Sequence, residues 1–152
     1  MSAKNKELNI RLHSIEELEY KAPLKGVKIE DVEDMGVALH IRAENKILSL
    51  LIEVVYIKQG TEILSKLKVK FNFEVEQFSN IIHVVDKDSI LFKVDIMPDL
   101  FRMSMDMMRG IYYEKLKNTA LKEHIIPIVD TQKMLGTINK DQKEKAQEEK
   151  EG

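Results

Sequence analysis

MPDLFRMSMDMMRGIYYEKLK, residues 97–117, is the stretch whose reading decides the fold. Pro98 suits the first turn of a helix, where its missing N–H costs nothing, and Asp99 complements the positive helix start. On a 3.6-residue wheel Leu100, Phe101, Met103, Met105, Met107, Met108, Ile111, Tyr112 and Leu116 cover one broad arc. Asp99, Arg102, Asp106, Arg109, Gly110, Tyr113 and Lys117 take the other side. The apolar arc is roughly 200° wide, about twice the stripe of a helix lying on one surface. One sheet cannot bury such a face, so a second surface has to cover the rest, and another subunit is the expected source. Met103, Met105, Met107 and Met108 fit adaptable core filling, or else a surface that accepts varied apolar partners.

Upstream of the helix the periodicity changes from 3.6 to 2. Leu67, Val69, Phe71, Phe73 and Val75 alternate with Lys66, Lys68, Lys70, Asn72, Glu74 and Glu76, which predicts a strand with one wet face. Ile47 to Lys58 is apolar on both faces apart from Ser49 and Glu53, as expected of a central or interface strand. Val37, Leu39, Ile41 and Ala43 mark a half-buried strand, joined to it by the turn Glu44-Asn45-Lys46. Gln59-Gly60-Thr61 is the next hairpin connection. A first strand starts near Leu8, slips phase at Ser14 and Ile15 as a β-bulge would, and ends at Ala22-Pro23 and Gly26. Val27 to Asp34 reads as a loop or an edge strand. Phe78 to Ile96 fits either a hairpin or a crossover with short helical turns. Beyond the helix, Ile125 to Val129 reads as extended, because Pro127 disfavours helix at the residue before it. Thr131 to Leu135 reads as a helical turn stopped by Gly136.

The fold class is therefore α+β: a four-stranded antiparallel sheet with a long helix of the C-terminal half packed on it. Residues 1–7 read as a flexible N-terminus and residues 8–138 as a single domain. Residues 139–152 carry no apolar side chain but Ala146 and read as a charged, disordered tail.

At 152 residues and 43% hydrophobic content the chain can build a core. A net charge of −2 gives no reason to expect nucleic acid or an anionic membrane as partner. The chain has no cysteine, hence no disulfide frame and no thiolate metal site. No signal peptide is visible at the N-terminus, and the longest apolar run, Ile47 to Ile57, is too short to span a bilayer. A cytoplasmic protein without membrane insertion is expected.

His13, His40, His83 and His124 fall in no metal-ligand spacing, and no Walker loop, GxGxxG or GxSxG occurs. Carboxylate pairs such as Glu16-Glu17 and Glu74/Glu76 read as solvated faces. No catalytic residue, cofactor or metal is expected, and the chain reads as no enzyme.

Three stretches, in order, resemble the bacterial protein-export chaperone SecB and its wider family. They are Leu18-Glu19-Tyr20-Lys21-Ala22-Pro23; Phe71-Asn72-Phe73-Glu74-Val75-Glu76-Gln77; and the helix opened by Met97-Pro98, with Arg109-Gly110 and then Ile126-Pro127-Ile128-Val129-Asp130. Together they cover most of residues 8–135. The resemblance implies a dimer of dimers with helices sandwiched between neighbouring sheets, holding unfolded or partly folded polypeptides without ATP, in export. It places client-binding grooves at Phe78, Ile81, Ile82, Leu91 and Phe92, and at Ile126, Ile128, Met134 and Leu135. It places the subunit interface at Phe73, Val75, Gln77, Phe101, Met105, Met108 and Tyr112. The family's docking face for the motor SecA is acidic; Glu17 and Glu74 match it, whereas Lys21 stands in place of a glutamate and Lys66, Lys68 and Lys70 make the strand basic. Residues 78–96 and 111–124 depart from the export chaperone. The alternatives are a SecB-like chaperone dedicated to one partner, such as an antitoxin, and, from another class, a small α+β ligand-binding domain or enzyme.

Overall fold

The computed structural model describes residues 9–59, 62–86, 89–124, 126–127 and 133–136. The expectations for residues 1–7, for the connection at Gly60 and Thr61, for residues 125 and 128–132, and for the tail from 139 lie outside them. Strands β1 (Ile10–Lys21), β2 (Asp34–Glu44), β3 (Ile47–Lys58) and β4 (Glu62–Val75) form an antiparallel sheet in the order β1-β4-β3-β2. A helical turn, α1 (Phe78–Ile81), leads into a two-stranded hairpin of β5 (Ile82–Asp86) and β6 (Ser89–Phe92). Helix α2 (Met97–Leu116), 20 residues long, follows. The chain is thus α+β, and the segment that fitted two alternatives uses both, a helical turn and then a hairpin.

The alternation read in the sequence sets the two faces of the sheet. Leu48, Leu50, Ile52, Val54 and Tyr56 of β3 lie opposite Phe73, Phe71, Val69, Leu67 and Ser65 of β4, and all are buried under α2. The intervening residues form an open face. There Glu16 pairs with Lys70, Glu19 with Lys66 and Arg11 with Glu74. Asn72 is buried on this face: it accepts from Ser49 Oγ at 2.6 Å and donates to Ser14 Oγ at 2.9 Å and Glu16 Oε2 at 2.7 Å. The β2–β3 hairpin closes on Asn45 and Lys46, both with positive φ, as a tight turn matched to strand twist requires.

β1 carries two bulges where the sequence shows one phase slip. Register shifts fall between Leu12 and Ser14 and between Glu17 and Glu19. The second shift is what returns Tyr20 to the helix side, opposite Leu67. Val27 to Asp34 resolves into a short 3-10 turn at Ile29–Asp31 before β2 begins.

Helix α2 buries Met97, Leu100, Phe101, Ser104, Met105, Met108, Tyr112 and Leu116. Proline and Asp99 start it as expected, with no side-chain cap at Ile96. Thr119 Oγ1 donates to the Leu116 carbonyl at 2.8 Å, satisfying one acceptor at the helix end.

Candidate interaction surface

The buried stripe of α2 is narrower than its apolar arc. Met103 is 48% exposed, and Met107 and Ile111 are half-buried. With Lys115 they form one i, i+4 row along the helix. The far end of that row is fixed against the edge strand. Lys115 Nζ meets Glu17 Oε2 at 2.8 Å and lies 5.3 Å from the Tyr20 ring centroid, and the Tyr20 hydroxyl donates to the Lys115 carbonyl at 3.3 Å. Burial raises the Tyr20 pKa, and the Lys115 charge opposes that rise. The row therefore runs on the β1 flank of the helix. On β1, Leu12 and Ile15 stand opposite Phe73 and Phe71, on the helix side of the sheet, yet beyond its cover. They and Leu18, in the second bulge, are 38–47% exposed. The edge strand and the helix thus each leave apolar side chains exposed on this flank, a surface that a further chain can cover.

The residues singled out in the sequence fall into distinct settings. Phe73, Val75, Phe101, Met105, Met108 and Tyr112, expected at a subunit interface, have their side chains in the core of their own chain. Gln77 is exposed at the corner between β4 and α1, with φ 58°. The open part of the helix is the Met103 row beside them, so the over-wide arc is present while its outward residues are different ones. Among the client-binding candidates Leu91 is 60% exposed, and Phe78, Phe92 and Met134 are half-buried. Ile81, Ile82, Ile126 and Leu135 are buried in the same core cluster. Glu17 and Glu74 are not brought together. Glu17 stands opposite Val69 and turns to Lys115, whereas Glu74 is on the open face with Arg11, so the two carboxylates lie on opposite sides of the sheet.

Two features escaped the sequence reading. The first is Arg109, assigned there to the polar side of the helix. It is tucked against the chain after α2: Nε donates to the Ile126 carbonyl at 2.7 Å and one Nη to the Pro127 carbonyl at 3.1 Å. The other Nη meets Asp106 Oδ1 at 2.8 Å. The Asp106/Arg109 spacing was the available signal. The second is a polar island within the core. Tyr56 stacks on Tyr112 with ring centroids 5.1 Å apart, and His124 tilts onto the Tyr56 ring at 4.2 Å. The Tyr112 hydroxyl shares a 2.6 Å hydrogen bond with Ser65 Oγ, which donates to the Lys21 carbonyl. Tyr56 Oη, Ser104 Oγ and His124 Nδ1 are buried with no partner among the described residues. Burial pushes Tyr56 up to about 12, pushes Tyr112 higher still, and lowers His124.

This island is packed by aromatic rings. A cleft of about 620 Å³ lies elsewhere, at the end of the sheet, between Asn9, Arg11, Lys46, Glu74, Glu76 and Gln77. Its carboxylates are already engaged, Glu74 by Arg11 and Glu76 by Asn9 at 2.7 Å. Among the described residues no three His, Asp or Glu side chains gather as a metal site, and no helix is long and apolar enough to cross a membrane. Comparison with protein-family models, with curated proteins and with solved structures finds no match in any of the three.

Proposed function

We propose that this chain is a SecB-like, ATP-independent chaperone, cytoplasmic and homotetrameric as a dimer of dimers, that holds non-native polypeptides. The observation that carries the proposal is the open apolar flank of β1 and α2, which a second copy of the chain would cover by two-fold symmetry. The antiparallel sheet followed by a helix and the order of the three resembling stretches support it. Clients would enter at the β5–β6 hairpin, where Leu91 is exposed beside half-buried Phe92 and Phe78. Grooves repeated around a tetramer would add avidity to loose contacts.

Light scattering after gel filtration tests the assembly. The expected mass is four times 17.6 kDa. Met103→Glu, which places a charge on an exposed position of the flank, should lower the mass without unfolding the protein. A client that aggregates on heating tests the holding activity. A monomeric parent with no effect on client aggregation refutes the proposal.

Within this reading, one dedicated partner, such as an antitoxin, is favoured over the SecA motor. Glu17 and Glu74 lie on opposite sides of the sheet, and each carries a basic partner, so they build no common acidic face. A single protein co-purifying in equal amount supports the dedicated role; binding of the motor to the open sheet face overturns it.

A further inference from the structure

We infer that Arg109 and the apolar seat of Ile126 form a binding site for an extended peptide segment, and that the chain's own Ile126-Pro127 occupies it as an internal pseudo-client. The inference rests on the chaperone reading and deepens it, since it assigns the bound chemistry and its control.

The contacts are of a general kind. Arg109 binds two successive main-chain carbonyls, of Ile126 and Pro127, and no side-chain atom of either. Pro127 keeps the preceding residue extended. Ile126 supplies an apolar side chain, only 2% exposed in the core cluster. An apolar side chain followed by bare main-chain carbonyls is what an unfolded chain offers and a folded one withholds. Asp106, one helical turn earlier on α2, holds the other arm of the guanidinium, a contact that needs nothing from the occupant. The site therefore belongs to the helix and would persist when the internal segment leaves.

The closed state is also incompletely satisfied. With this segment docked, His124 lies on Tyr56, and its Nδ1 and the Tyr56 hydroxyl are both buried with no partner among the described residues. Opening would let water reach them. A well-packed cover with unsatisfied polar groups beneath it can be exchanged for another apolar segment.

The test is client binding by Ile126→Ser and by Ile126→Ser/Arg109→Gln, with a labelled, reduced and alkylated protein as the permanently unfolded probe. If the segment occupies the site for all but a small fraction of the time, Ile126→Ser should tighten binding by about fivefold or more. Adding Arg109→Gln should remove that gain. The amide of His124, bonded to the Leu121 carbonyl at 2.9 Å, gives a readout in the unmutated protein: its hydrogen exchange should quicken when the probe is added. Unchanged exchange in the presence of bound probe, or equal affinity of both variants and parent, overturns the inference and leaves the chaperone reading standing. No binding of the probe by any of the three proteins overturns both.

Discussion

Tyr56 and Tyr112 stack on one another in the core, yet the same substitution should move stability in opposite directions at the two positions. The Tyr112 hydroxyl shares its 2.6 Å bond with Ser65, which keeps its own bond to Lys21 when that hydroxyl is removed. Tyr112→Phe therefore deletes one neutral hydrogen bond, a loss of about 1 kcal/mol. The Tyr56 hydroxyl is buried with no partner among the described residues, so Tyr56→Phe removes a desolvation penalty of about 1–3 kcal/mol while keeping the ring. The two variants should straddle the parent and differ by about 2 kcal/mol or more, which corresponds to roughly 1 M in urea midpoint. Both must be unfolded at one protomer concentration, because self-association shifts apparent stability. An alkaline series adds a second reading. Unfolded tyrosine releases its proton near pH 10 and folded Tyr56 only at about 12, so the parent loses stability as pH rises above 10. Tyr56→Phe should lose less. If Tyr56→Phe instead costs as much as Tyr112→Phe, the hydroxyl is bonded in solution and the account of the island is wrong.

Two further outcomes follow from local geometry. A Cβ on Gly36 would stand 2.9 Å from Val55 Cγ2 in the facing strand, so Gly36→Ala should destabilise by about 1 kcal/mol or more despite its entropic gain; an unchanged urea midpoint refutes the contact. Burial lowers the His124 pKa below its unfolded value of 6.5, so the unfolded state binds the proton first. Stability should then be complete above pH 6.5 and fall with acidification below it; His124→Leu should flatten part of that fall, and an unaltered slope refutes the assignment.

The sheet was legible because its strands repeat a simple rule. β4 alternates strictly, and β3, apolar on both faces, takes the inner place between β2 and β4. The ends of α2 were legible from Pro98 and from the loss of apolar period near Lys117. What the wheel could not decide is which part of the arc meets the sheet of the same chain. Met103 and Met105 are equally apolar as letters, yet one is half exposed and the other is buried. That difference comes from the position of β1, two bulges included, and a bulge at Leu18 leaves no distinct mark in composition. Arg109 was hidden for a related reason. Its partners are main-chain carbonyls, which every residue carries, so no letter at 126 or 127 points to them. His124 and Tyr56 are 68 positions apart in sequence, and only the return of the chain after α2 brings the rings together.

The strand order β1-β4-β3-β2 also sets how the sheet can come together. β2, β3 and β4 follow one another with only a few residues between them and can zip up from neighbours, each new pair closing a small loop. β1 has to wait. Its end at Lys21 pairs with Lys66, so β1, though made before the other strands, finds its partner only after the whole meander has been made. The last strand to dock gains the fewest intermediate states to hold it, and by the same token the opening of lowest energy should peel β1 away with Leu12, Ile15 and Leu18 upon it. A nascent chain of this protein would for that interval present the kind of apolar strand that chaperones exist to hold.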